Sequence, residues 1–316
     1  MAMTIGMCFP REFPGFEVTT FARRLEAGGV DELWLIEDCF FTTAPPLAAA
    51  ALATTEGLTV GLGILPAVMR TAAATAMEIA TLASIAPGRV VGGIGHGVQS
   101  WMGQMGVATA SPLTTLDEVI TAVRRLLRGE TVTSHGREVT LNEVRLEHVP
   151  DPVPPVLAGV TGPKSLALAG RVADGVVLAG PSTVPHVAAA RQAAVDRGSD
   201  YRVVTFTTLA IAPDPRDAYR AVAPLVAEML GSDGFRDLPF LSELRARHQQ
   251  HGLDGIVAMP RSWWLQIGAI GTHDDALEHV ALLEAEGVTG VALFPAPDLD
   301  IARGQVDDVV AIAAAR

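Results

Sequence analysis

Cysteine is scarce: Cys8 and Cys39 are the two in a chain of 316 residues. Two thiols without paired spacing exclude a disulfide framework and a cysteine-based metal site, so both are expected as free thiols and no metal is expected. Lysine is scarcer still, because only Lys164 among the 23 Lys and Arg residues is a lysine. Basic charge falls short of acidic charge overall, giving a net charge of −12 with no run of basic residues. That balance argues against nucleic acid and anionic membrane surfaces as partners. Hydrophobic residues make up 49% of the chain, yet no apolar run approaches the roughly 20 residues needed to cross a bilayer. The first residues, MAMTIGMCFP, lack a basic region followed by a long apolar stretch, and a cytoplasmic location is expected.

What is present is an alternation of strand and helix patterns. Met3–Phe9 reads as a strand, and Val18, Phe21, Ala22 and Leu25 fall at helical spacing before a stop at Gly28 and Gly29. Strands are expected at 33–37, 58–65 and 89–95, alternating with helices at 46–55, 72–85 and 113–127. Thr114 or Thr115 is expected to cap the last helix, with Arg124, Arg125 and Arg128 near its negative end. Residues 129–149 break the rhythm, and the alternation around Gly136 predicts a hairpin excursion. Strands at 156–158 and 175–179, a helix at 186–196 and strands at 202–212 and 290–295 complete the series. The stretch 213–267 is too long for one connection and is expected to hold helices and a lid. Thr272 is expected to cap a helix running to Glu286. Eight candidate strands favour an α/β fold of the (β/α)8 TIM-barrel kind, one domain over 1–316 with insertions at 129–149 and 213–267, over an open doubly wound sheet.

The stretch PVLAGVTGPKSLALAGRVADGVVLAG, residues 155–180, carries the clearest chemistry. It reads as strand, glycine-rich turn, helix and strand. Pro163 suits the first helical position, while Gly159 and Gly162 let backbone amides approach an anion and Lys164 adds charge. In a TIM barrel the reactive groups sit at the C-terminal strand ends. There the sequence places Glu37, Asp38, Cys39, Phe40 and Phe41 after strand two, Gly63 to Pro66 with Arg70 beyond after strand three, and GIGHGVQSWMGQMG after strand four. In the last stretch Gly95 and Gly97 flank His96, and Trp101 follows. A flat heterocycle with a phosphate tail would suit such a rim. His248 and His251 lie at helical spacing but lack a completing carboxylate, so a solvated helix face is the better reading. The glycines around His96 match a dinucleotide fingerprint only weakly, since the acid expected further on, Asp117, falls in a helix.

Four stretches, LWLIEDCF (33–40), residues 60–106, residues 155–178 and IGTHDDALEHVALLEAEGVTGVALFP (270–295), together resemble the luciferase-like monooxygenase superfamily. The resemblance is greater to its branch of coenzyme F420-dependent methylenetetrahydromethanopterin reductases. It implies FMN or F420 bound at the barrel mouth against a non-prolyl cis peptide, here Gly63–Ile64, with the cofactor phosphate on the amides of Gly159, Val160, Thr161 and Gly162. Asp38 matches an acid beside the ring in F420 enzymes, and Cys39 falls where several of them keep a histidine. A neutral thiol is the poorer acid at neutral pH.

Hydride transfer relies on positioning, with the cofactor supplying the electronics. His96 is the first candidate for acid, base or substrate contact, with cofactor positioning as an equal alternative; Asp38 and Glu37 come next. Neighbouring carboxylates on a strand face opposite ways, so one of these two should reach the pocket. Trp101, Phe40 and Trp263 are candidate substrate contacts, although Trp263 and Trp264 could equally anchor the insertion, and Arg70 could meet an anionic tail or pair with Glu78. The expected function is an F420-dependent oxidoreductase acting on a small organic substrate. The alternatives are an FMN-dependent monooxygenase supplied by a separate flavin or F420 reductase, and a non-catalytic ligand-binding barrel. Exposed Ala-rich helices and the habit of the resembled family suggest a homodimer.

Overall fold

The structure, a computed structural model, describes residues 3–192 and 201–316. Eight parallel strands close a barrel: β1 (Thr4–Phe9), β2 (Glu32–Leu35), β3 (Thr59–Pro66), β4 (Val90–Gly95), β5 (Val156–Gly159), β6 (Gly175–Pro181), β7 (Arg202–Ile211) and β8 (Gly290–Phe294). Each pairs with the next, and β8 returns to β1 through the register Thr4 to Gly290. The open doubly wound sheet is thereby ruled out. A short strand, Gly268–Gly271, extends the C-terminal half of β7 outside the closed ring.

Helices α1 (Val18–Ala27), α2 (Ala44–Ala53) and α3 (Ala72–Ile85) cover the first strands; α4 (Gln99–Gln104) and α5 (Pro112–Leu127) follow β4. The short α4 lies in a glycine-bearing stretch that the sequence reads as loop. Neither Thr114 nor Thr115 caps α5; Ser111 is the N-cap and Pro112 opens the helix. Proline lacks the N–H that would otherwise be unpaired there, so the start is set one turn earlier. Residues 132–144 form the expected hairpin, held by Glu118, whose carboxylate accepts from the amides of Arg137, Glu138 and Val139 at 2.7–2.9 Å. Helices α6 (Pro163–Val172) and α7 (Val184–Gln192) flank β6. The expected continuation of α7 to residue 196 lies outside the described residues.

Between β7 and β8 the chain forms α8 (Pro215–Met229), α9 (Leu241–Val257), α10 (Arg261–Ile267) and α11 (His273–Ala285); α12 (Leu299–Ala314) follows β8. The first three share their own apolar cluster with Phe235, Leu244 and Ile256. Trp264 is fully buried and stacks on Tyr219 at 4.5 Å, and Trp263 stacks on Phe240 at 4.2 Å. Both tryptophans anchor the insertion, so Trp263 is corrected from substrate contact to packing: its face is taken by an aromatic partner. Thr272 caps α11 as expected, in a reciprocal box with Asp275.

Inside the ring, Trp34 and Phe206 meet at 5.4 Å and plug the lower barrel. A Cβ on Gly61 would stand 2.4 Å from the Trp34 ring, so that glycine is required by packing. Among the described residues no helix is long and apolar enough to cross a membrane.

His279 is fully buried and joins three elements, with Nε2 at 2.8 Å from the Thr207 hydroxyl and Nδ1 at 2.8 Å from the Leu265 carbonyl. Burial pushes its imidazole down from 6.5 to about 4, although the carbonyl opposes this. Between those two values the unfolded chain binds the extra proton and the folded chain does not. Stability is therefore unaffected by this group above the window and falls as pH drops through it. A His279→Gln variant should show a flatter loss of thermal stability between pH 6.5 and about pH 4 than the natural chain.

Candidate active site

The C-terminal strand ends open into one cavity of about 1270 Å3. Its floor is Phe206, and its wall includes Asp38, Cys39, Ile64, His96 and Trp101. Gly63, Gly95, Gly97 and the loop Gly159, Val160, Thr161 and Gly162 also face it.

The strand-three end is built around one side chain. The Gly63–Ile64 peptide is cis, as the resemblance implies, and the register between β3 and β4 slips between Leu62 and Leu65. The Ile64 side chain lies over a floor of glycines. A Cβ on Gly93 would lie 2.5 Å from its side chain, on Gly95 3.0 Å and on Gly159 2.0 Å. At Gly159 the Ile64 side chain is the nearest obstacle, whereas at Gly93 and Gly95 the backbone carbonyls of Leu62 and Gly159 come closer still, at 2.3 and 2.6 Å, so close strand packing and Ile64 together require these glycines. The half-buried Ile64 offers an apolar ledge to anything flat in the mouth.

The anion cradle lies beside the ledge. Gly162 is the N-cap of α6 and no side chain caps that end. The first-turn amides of Lys164 and Ser165 have no carbonyl one turn back in the helix, so an anion can satisfy them. A Cβ on Gly162 would meet nothing within 4 Å, which marks open space where a ligand group can sit. Pro163 and Lys164 do not line the cavity; Lys164 is exposed in a shallow groove with Asp117, Glu118 and Arg171. Its assignment to the cofactor is corrected on that ground, because its side chain leaves the helix on the outer face. Pro163 contributes only by starting the helix.

His96 Nε2 lies 2.9 Å from the Ser165 hydroxyl, inside the first turn of α6. Nδ1 is buried without a well-formed hydrogen bond. Burial pushes the imidazole below its ordinary value, with the Pro112 backbone opposing weakly. His96 is thus held neutral and tied to the cradle. Asp38 Oδ2 accepts from Arg11 Nη1 at 2.6 Å, leaving Oδ1 without a hydrogen bond among the described residues. Burial raises the Asp38 carboxyl above its usual range despite Arg11. Cys39 is raised by burial and then by Glu37 and Asp38, which keeps it a neutral thiol. Its Sγ rests 3.7 Å from Met69 Sδ.

Glu37 and Asp38 lie just past the end of β2, so strand alternation does not separate them and, against expectation, both border the cavity; their hydrogen bonds set them apart. The Glu37 side chain is 1% exposed and takes both Arg70 Nη1 and Nη2, at 2.6 and 2.9 Å, plus the Ala44 amide. Arg70 also reaches Glu78, so it serves an internal ion pair and not an anionic tail. Phe40 is 66% exposed and lies outside the cavity wall. Its assignment as a substrate contact is corrected, since the chain turns it to solvent; Trp101 does face the cavity, with the Arg11 guanidinium 5.6 Å from its ring. His251 is exposed, and no cluster of metal-binding side chains occurs among the described residues.

Sequence reasoning missed Arg11, Glu12, Ser165 and the walls from α8 and α12. Arg11 and Glu12 follow β1 directly, so the strand-end rule applied there would have found them. Ser165 stands three residues past Gly162 and only the fold brings it to His96.

Residues 4–290 match the model of a family described as luciferase-like monooxygenase. The chain belongs to that family. Over 176 residues this luciferase-like chain is 32% identical to 5,10-methylenetetrahydromethanopterin reductase of Methanolobus tindarius, covering 56% of the chain and 54% of the relative. It is 29% identical over 148 residues to F420-dependent glucose-6-phosphate dehydrogenase of Microbacterium testaceum, covering 46% and 44%. The matched stretch is thus about half the length of these curated relatives. Among solved structures, the coenzyme F420 dependent tetrahydromethanopterin reductase of Methanopyrus kandleri superposes with a TM-score of 0.81 at 19% identity, covering 100% of this chain and 99% of that one. The oxygenating constituent of 3,6-diketocamphane monooxygenase of Pseudomonas putida, in complex with FMN, gives 0.71 at 18%, covering 99% and 97%. These two structures share the barrel fold of this chain.

Proposed function

We propose that this protein is an F420-dependent oxidoreductase that moves hydride between the deazaflavin and a small organic substrate. The observation that carries the reading is the Ile64 ledge beside an uncapped, unfilled helix start at Gly162, which suits a flat ring with a phosphate. The curated relatives named as F420-dependent glucose-6-phosphate dehydrogenases supply the choice of ring. When bound, the deazaflavin supplies the carbon that accepts or gives up hydride.

The chain's residues would do the rest. Ile64 would support the ring, and the Thr161 to Ser165 turn would hold the phosphate. Ser165 fixes His96 through Nε2, making His96 a positioning residue for the cradle. The accompanying proton is best handled at Asp38 Oδ1, the carboxyl oxygen left free by Arg11. Its upward shift from burial brings it nearer to neutrality, which is what a proton-exchanging carboxyl needs.

One observation favours the flavin reading. Among the described residues the cavity wall contains a single cation, Arg11, which is already paired with Glu12 and Asp38. An acidic cofactor tail would find little complement there, whereas FMN ends at its phosphate. That reading brings a separate reductase as partner. In either case the chain is read as one barrel domain with insertions, acting in the cytoplasm as a homodimer. Anaerobic mixing with reduced F420 and a panel of carbonyl compounds tests the primary reading: return of the oxidised deazaflavin absorbance supports it. Oxygen-dependent turnover of reduced FMN, with no reaction of F420, selects the alternative.

A further inference from the structure

The cradle and ledge occupy the ends of β3, β4 and β5, and the far wall of the cavity comes from β7, α8 and the start of α12. Along α8, Asp217, Ala221, Leu225 and Glu228 line the cavity at helical spacing, so they share one face of the helix. Ala221 and Leu225 form its middle, and Ile301 of α12 adds to the same wall. Leu225 is 37% exposed and Ile301 56%, so these side chains face open space and not a core. Apolar groups turned into a cavity mark the place of an apolar ligand body.

Charge in this wall has one sign. Asp217, Glu228, Asp233 and Asp298 face the cavity, while Arg11 is the one cation to do so among the described residues. Asp217 and Asp233 have arginine partners one turn away, and Asp298 caps α12. Glu228 has neither ion pair nor hydrogen bond among the described residues. A ligand phosphate or carboxylate here would lose its water, find no free cation and meet like charge.

Resting on the functional reading above, we infer that the substrate is an uncharged molecule with an apolar body, and that phosphorylated and carboxylated compounds are rejected. Leu225 and Ile301 are the specificity-determining residues of this wall.

A matched pair tests this: the ketone 2-acetylnaphthalene and the anion 2-naphthoate, each titrated into the full chain by calorimetry. Phosphate buffer keeps the anion cradle filled, and the titrations are run with and without F420. The ketone is expected to bind about ten-fold more tightly than the carboxylate or better. Leu225→Arg, and separately Ile301→Arg, should shift that ratio toward the carboxylate by about ten-fold. Both positions are exposed, so folding should survive, and a circular dichroism melt checks it. Equal or tighter binding of the carboxylate, or a ratio indifferent to both variants, overturns the inference. A chain that fails to bind F420 but discriminates the pair overturns the cofactor assignment alone; one that binds F420 and prefers the carboxylate overturns the substrate class alone.

Discussion

Replacing Gly162 by tryptophan is expected to weaken binding of F420 or FMN by about a hundred-fold, since the ligand loses several charge-assisted hydrogen bonds together. The residue occupies ordinary extended backbone, with φ −79° and ψ 149°, and a Cβ there touches nothing within 4 Å. No fold contact is therefore lost, and the melting temperature should stay close to that of the natural chain. The indole would stand in the space that the first-turn amides of α6 face. Fluorescence titration of each cofactor into variant and natural chain gives the ratio directly. An unchanged affinity would place the phosphate elsewhere. Gly159 offers the contrast: a Cβ there would lie 2.0 Å from the Ile64 side chain, so its replacement displaces the ledge itself.

Arg70→Met is expected to be among the most destabilising single changes outside the apolar core. Glu37 is buried, and Arg70 supplies two of its hydrogen bonds, leaving only the Ala44 amide after substitution. Breaking a buried pair by removing one partner costs roughly 3–5 kcal/mol, because the remaining charge is stranded. For a chain of this size that corresponds to a drop in melting temperature on the order of 10 °C. Adding Glu37→Gln should restore much of the loss, since a neutral amide does not need the arginine. If the single variant melts with the natural chain, the ion pair is not what fixes the strand-two end. The consequence for function is positional: Glu37 and Asp38 are adjacent, so loosening the first disturbs the carboxyl that Arg11 presents to the cavity.

The barrel was legible because its signals are local. Apolar runs of five to eight residues alternate with helical spacing, and each βα unit announces itself in sequence. The α5 boundary slipped although its signal is local too, since Pro112 at the first helical position starts the helix ahead of the threonines. The cradle was legible for the same local reason, since a strand, a glycine turn and Pro163 are contiguous. Lys164 misled because charge can be read from a sequence and side-chain direction on a helix cannot be fixed from one residue. Trp263 misled similarly: only the fold shows that Phe240 covers it. The His96–Ser165 contact and the Arg11–Asp38 pair join different βα units, 69 and 27 residues apart, and no periodicity encodes them. The glycines of β4 carried a real signal that was legible only with Ile64 in place above them.

The central claim is that the ledge at Ile64 and the cradle at Gly162 hold a deazaflavin. Equilibrium titration of the purified chain with F420 and, in parallel, with FMN, followed through tryptophan emission, tests it most directly, because Trp101 borders the cavity. Saturable binding of F420 in the micromolar range, at least about ten-fold tighter than FMN, is the predicted result. Micromolar binding of FMN with none of F420 would contradict it.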